Sequence, residues 1–184
     1  DRLSPLPLSA SRALTEGAAA ARFAGETAAT FESFVEEGGK VFRVILLGVG
    51  AGQEGDLERA GGALVAKLAT SGAQEAAISF AGLDIASAAT IARLAYGAKL
   101  RAWRMDRYRT KLPEKLKPTL VRISVVSDLP DLANQWARLS AIADGVMFTR
   151  ELVAEPANIL YPESFVERCC SLEALGIELT VLDE

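Results

Sequence analysis

Apolar residues follow two rhythms along the chain. Around Phe31 and Val35 they alternate loosely with polar ones, and Glu37-Gly38-Gly39-Lys40 is a turn signal. VFRVILLGV (41–49) is then a continuous β-rich apolar run. Together these predict a hairpin whose second strand is buried. After the glycines Gly48–Gly55 the rhythm changes. Leu57, Ala60, Gly61, Leu64, Val65 and Leu68 recur at helical spacing, and Gly72 is placed to end that helix. AAISFAG (76–82) reads as a short strand. Asp84 is placed to cap the helix that follows, with Ile85, Ala88, Ala92, Leu94 and Ala95 inward. LRAWRMDRY (100–108) alternates and predicts a half-exposed strand. Lys111 to Pro118 is a polar loop, and TLVRISVVS (119–127) is the next strand.

Ser127 or Asp128 then caps a long helix, with Pro130 in its first turn. Leu132, Trp136, Leu139, Ala143, Val146 and Met147 form its apolar face. Pro156 stops it, Pro162 opens another helix that Gly176 closes, and IELTVLD (177–183) begins a further strand. At the other end LSASRALTEGAAAAR predicts a short helix. Strands alternating with helices give an α/β class with a parallel or mixed sheet. The last strand starts a βα unit without its helix, so the pattern reads as one domain, a connecting helix and the first piece of a second domain. Asp1 in place of an initiator Met reads as a trimmed or processed start.

Composition narrows the chemistry. The 184 residues are 50% hydrophobic and 24% charged, with a net charge of −4, and the pI is about 5.1. An acidic balance speaks against nucleic acid as the main partner. There is no histidine, which removes Ser-His-Asp and Cys-His machinery and any H-E-x-x-H zinc site. The two cysteines, Cys169 and Cys170, are adjacent; they match no disulfide framework and no C-x-x-C motif, and fit a reducing, cytoplasmic setting. No apolar run reaches the roughly 18 residues of a membrane span.

Four places could carry function. Gly50, Gly52 and Gly55 fit G-x-G-x-x-G, the spacing that seats a pyrophosphate on a helix N-terminus. Yet Asp84 lies too far on to serve as the ribose acid, and Gln53, Glu54 and Asp56 crowd the loop with two carboxylates. The glycines then only turn the backbone. The stretch 99–117 holds eight Lys/Arg against Asp106 and Glu114, with Trp103 and Tyr108 interleaved. It is either a single-strand nucleic-acid surface, a solvated loop, or a patch for an acidic surface of a partner subunit. Cys169-Cys170 read as one inward-facing small hydrophobe and its neighbour. Glu151 and Glu155 share a helix face near Asn158; paired carboxylates serve acid–base or metal chemistry, but nothing nearby completes such a site.

TRELVAEPANILYPESFVERC (149–169) resembles the connecting region of the leucyl (cytosol) aminopeptidases, through Arg150, Glu151, Leu152, Pro156, Asn158 and Pro162. LLGVGAGQEGDLERAGGALVAKL (46–68) is similar to that family's L-x-G-L-G turn followed by R-x-A-G-G. GAKLRAWRMDRYRTK (97–111) is similar to its Y-x-F-D-x-Y-K-x-K stretch. The three stand in the family's order, and the resemblance covers about residues 20–184. It implies a macro-domain-like α/β domain over 1–127, a mixed sheet flanked by helices. A connecting helix and linker over 128–160 and the start of a truncated C-terminal catalytic domain over 161–184 would follow.

The resemblance also implies a cytoplasmic, hexameric enzyme that releases N-terminal residues, often Leu, from peptides with two divalent metals, Zn or Mn. The metal and catalytic motifs, resembling V-G-K-G-[IV]-x-[FY]-D-[ST]-G-G and N-T-D-A-E-G-R-L, do not occur in this sequence. No catalytic, metal-binding or cofactor-binding residue is therefore assigned, and the chain alone is expected to be inactive. Its expected partners are the C-terminal domain of the same protein and further copies, with no membrane partner. The alternatives are an ADP-ribose- or nucleotide-binding module at Gly48–Gly55, by analogy with macro domains, and nucleic-acid binding through 99–117. Tyr161 departs from the family's usual Thr or Ser helix cap, a loss of about 1 kcal/mol. Met105 stands in place of the common Phe.

Overall fold

Two helices meeting at two glycines form the centre of the fold, seen in a computed structural model that describes residues 8–80 and 87–182. Contacts divide the chain into two compact units, Asp1–Ala143 and Asp144–Glu184.

In the first unit, α1 (Leu8–Ala20) precedes the antiparallel hairpin of β1 (Thr30–Glu37) and β2 (Lys40–Leu47). Glu37 pairs with Lys40, and the two-residue turn between them has φ of 57° at Gly38 and 76° at Gly39. Positive φ at both positions matches the right-handed twist of the strands it joins. β2 is half-buried rather than buried: Lys40 to Phe42 are exposed and the remainder only partly covered. A two-stranded sheet leaves β2 an open edge, so an apolar run alone did not establish full burial. Leu14 and Val35 form a small core there, joined by Phe31 and Val44. Glu32 accepts hydrogen bonds from Arg43 (2.5 Å) and Lys67 (2.7 Å), tying the hairpin to the next helix.

That helix, α2 (Glu54–Leu68), buries Leu57, Ala60, Gly61, Leu64, Val65 and Leu68, the stripe its spacing predicts. It packs against α3 (Ala88–Ala102), whose buried face is Ile91, Ala92, Leu94, Gly97 and Ala98. A Cβ on Gly61 would collide with the Leu94 carbonyl oxygen, and one on Gly97 with the Glu58 carbonyl oxygen. The two backbones therefore touch. Arg93 fixes the crossing with ion pairs to Glu54 and Glu58 at 2.9 and 2.8 Å. Leu47, Val49, Ile78 and Phe80 complete the core around Leu57, Ala60 and Leu94.

β3 (Glu75–Ser79) pairs in parallel with β4 (Arg122–Val126), Glu75 opposite Arg122 and Ser79 opposite Val126. Parallel pairing requires a crossover, supplied here by α3 and the loop after it. The class is α/β with both strand directions present. The described strands form two separate pairs rather than one continuous sheet.

Three expectations are corrected. Residues 100–108 do not form a strand: α3 continues to Ala102 and the chain then runs as loop and turns. The helical period simply persists, since Ala95, Ala98, Lys99 and Ala102 line one groove. The long helix, α4 (Leu132–Ala154), starts four residues later than 128. Ser127 Oγ accepts from the Leu129 amide, and Asp131 accepts from the side chains of Asn134 and Gln135. These local bonds hold 127–131 in a turn, leaving Pro130 ahead of the helix. For α3 the cap is Ser87, whose Oγ accepts from the Thr90 amide. Asp84, Ile85 and the end of the 76–82 strand lie outside the described residues.

The second unit holds α5 (Pro162–Cys170), a 3-10 turn (Ser171–Leu175) and Gly176 at φ 83°. Ser164 Oγ accepts from the Tyr161 amide at 2.9 Å, which is the return half of a capping box. It offsets the absent Ser or Thr cap. Residues 177–182 are not a strand: no described segment pairs with them, and Val181 and Leu182 are exposed.

Gly61→Ala should destabilise the chain by about 1–3 kcal/mol or more, because a methyl meets rigid backbone. Gly55→Ala, whose Cβ has nothing within 4 Å, should be neutral or mildly stabilising. Urea midpoints of the two variants check the contrast.

Candidate functional site

The glycine turn joins β2 to α2 and interlocks with residues 25–29. Gly48 donates its amide to the Ala29 carbonyl (2.8 Å), Gly50 to Gly25 (2.9 Å) and Gly52 to Val49 (2.9 Å). The Ala28 amide donates back to the Gly48 carbonyl at 3.0 Å. A Cβ on Gly48 would strike the Glu26 carbonyl oxygen. One on Gly50, at φ +56°, would strike Thr27 Oγ1. Thr27 Oγ1 donates to Asp56 Oδ1 at 2.9 Å, and Arg59 donates to the same oxygen at 2.9 Å. The Thr27 hydroxyl and, after it, Arg59 hold the Asp56 carboxyl below its usual range.

An anion cradle needs free amides at a positive helix end. Here these three glycine amides are bonded to the protein's own carbonyls, and Glu54 and Asp56 occupy the first turn of α2. The turn is built to lock two loops together.

The basic stretch is divided among three settings. Lys99, on α3, lies 5.8 Å from the Trp136 ring centroid and donates to Ser140 Oγ at 2.7 Å. Arg104 binds Asp106 at 2.5 Å and donates to the Leu116 carbonyl at 3.4 Å. This closes the loop on a 3-10 turn at Glu114–Leu116. Arg104 is also the first cause of the lowered Asp106 pKa. Arg101, Arg107, Arg109, Lys111, Lys115 and Lys117 are exposed. Trp103 is half-buried and Tyr108 exposed.

Glu151 and Glu155 are separated by environment. The Glu155 side chain is 1% exposed and pairs with Arg168 at 3.6 Å, Glu151 is half-buried, and Asn158 is exposed. Cys169 is half-buried, Cys170 exposed, and both are free thiols. Sequence reasoning missed the Glu155–Arg168 pair and the Thr27–Asp56–Arg59 lock, since neither partner set shares a recognisable spacing. Only the i, i+4 placement of Glu54 and Glu58 hinted at a cation between them.

A groove of about 700 Å³ runs along α3, β4 and the start of α4. Ile91, Ala95, Ala98, Ile123, Val125 and Trp136 line it, and its lining holds no carboxylate, thiol or imidazole. It offers apolar contact without acid–base groups. Among the described residues, no group of three or more His, Cys, Asp or Glu is placed to hold a metal ion. No described helix is long and apolar enough to cross a membrane.

Asp56 makes the glycine turn sensitive to acid. Its folded pKa lies below the ordinary 3.8, so its stabilisation is complete above that value and is lost as pH falls through the lowered one. Thr27→Val should move the Asp56 titration upward, toward 3.8; a carboxyl NMR titration checks it.

Residues 6–112 match the cytosol aminopeptidase family, N-terminal domain. A probable cytosol aminopeptidase of Caulobacter vibrioides is 37% identical over 176 residues, covering 94% of this chain and 35% of that protein. One from Rhodopseudomonas palustris (strain BisA53) is 34% identical over 177 residues, covering 93% and 35%. The chain thus spans about a third of the length of the curated relatives it matches. Among solved structures, a tomato leucine aminopeptidase mutant aligns with a TM-score of 0.71 and 23% identity, over 88% of this chain and 32% of that one. The bottromycin maturation enzyme BotP aligns with a TM-score of 0.69 and 22% identity, over 96% and 36%. At that identity the likeness shows the fold. The match over 6–112 and the relatives aligned along nearly the whole chain show that it belongs to the cytosol aminopeptidase family and carries its N-terminal domain.

Proposed function

We propose that this chain is the non-catalytic N-terminal region of a leucyl-aminopeptidase-like metallo-exopeptidase, serving assembly and access to the active site. The observation that carries it is the asymmetry of the match: nearly all of this chain aligns with about a third of an aminopeptidase. Residues 1–127 are the N-terminal domain, 128–160 the connecting helix and linker, and 161–184 the start of the catalytic domain. The rest of the parent protein supplies the chemistry, removal of N-terminal residues from peptides. It works in the cytoplasm as a homo-oligomer, a hexamer as in the family.

Two divalent metals, Zn or Mn, belong to that catalytic domain; a solved BotP structure is a complex with Mn. The residues described in this chain do not fit such a centre. Their carboxylates are dispersed, and the best-placed ones, Asp56 and Glu155, are engaged by Arg59 and Arg168. What this region contributes is a rigid scaffold, the α2–α3 pair and its clasped loops, on which other surfaces can assemble.

The purified chain with Mn²⁺ or Zn²⁺ should not release nitroaniline from leucyl-p-nitroanilide. Metal-dependent turnover that persists through repurification would sink the non-catalytic reading. In the full-length protein, removing residues 1–127 should reduce the oligomeric state seen by sedimentation. An unchanged oligomer would remove the assembly role.

A further inference from the structure

The two compact units carry opposite charge. Residues 144–184 contain nine acidic residues and only Arg150 and Arg168 as cations. Arg168 is drawn toward the buried Glu155. Glu163, Glu167, Glu173 and Glu178 are all exposed, and among the described residues none of them has an ion-pair partner. In the other unit, 101–117 holds seven basic residues against Asp106 and Glu114. Those two carboxylates are engaged within the loop by Arg104, Arg109 and Lys117. Arg101, Lys111 and Lys115 are exposed and have no ion-pair partner among the described residues.

The loop is also held in shape. Arg104 ties Asp106 to the Leu116 carbonyl, the Arg109 amide donates to Asp106, and the Thr119 amide anchors on Ala69 at the end of α2 (2.7 Å). An ordered cationic surface loses less entropy on docking than a floppy one.

We propose that the 101–117 surface of one copy docks on the acidic face of a second copy, formed by Glu163, Glu167, Glu173 and Glu178. This interface rests on the assembly reading above and names the surfaces that would carry it. The occupant follows from charge. The whole chain is at −4, so its long-range field repels a polyanion, while a local acidic patch on another copy is attracted at short range. Because the two surfaces differ, the contact is heterologous and must close into a ring or propagate.

Sedimentation velocity of the full chain tests this, with circular dichroism to confirm that the exposed-residue variants fold. Self-association should weaken roughly tenfold or more between about 20 and about 300 mM salt, as screening shortens the reach of surface charge. The variants R101E/K111E/K115E and E163K/E167K/E173K should each be monomeric where the wild type associates. Mixed together, they should form a complex again. Association that survives both reversals overturns the charge-paired interface and leaves the assembly reading standing. A monomer under every condition overturns both. Capture of labelled single-stranded DNA by the wild type, without self-association, overturns the proposal in favour of a nucleic-acid surface.

Discussion

The fold depends on two helices that approach until their backbones touch. Gly61 lies against the Leu94 carbonyl and Gly97 against the Glu58 carbonyl, with no room for a side chain at either point. Close approach lets short side chains, Ala60, Ala92 and Ala98, bury almost completely. It also brings Arg93 within reach of both Glu54 and Glu58. Everything else in the first unit is placed from this pair. The hairpin is tied to α2 through Glu32 and Lys67, and β3 packs through Ile78 and Phe80 onto the same core.

The glycine turn has the same logic at smaller scale. Gly48 and Gly50 admit the 25–29 segment, and their amides close on its carbonyls. The lock then places Thr27 on Asp56, so the start of α2 is secured by a side chain from another loop rather than by Gln53, its own cap position. Glycines that resemble a phosphate loop in sequence here bring two stretches of protein together.

Much of this was legible before any coordinates. The buried stripe of α2 is the one its spacing names, because a helix packed on one face records that face in its period. The hairpin turn, the stop at Pro156 and the closure at Gly176 follow from single residues with narrow backbone preferences. Illegible parts share a cause. Residues 100–108 alternate over too few positions to separate a strand from the last turns of α3. The start of α4 was hidden because Ser127 and Asp131 hold a turn by side-chain bonds that no apolar pattern records. Glu155 read as half of a solvated carboxylate pair, and only tertiary packing shows it buried on Arg168. The family assignment rested on motifs, since periodicity distinguishes a fold class and not a lineage.

The pairing of β3 with β4 sets an order of events on the ribosome. A nascent chain that has just exposed Glu75–Ser79 has no strand to lay beside it. Its partner emerges only after all of α3 and the basic loop have been synthesised. The hairpin, joined by two residues, closes as soon as Leu47 is free. Long-range parallel pairing comes late for entropic reasons as well. Until Val126 emerges, the growing domain has the antiparallel pair available and β3 still waiting for its neighbour.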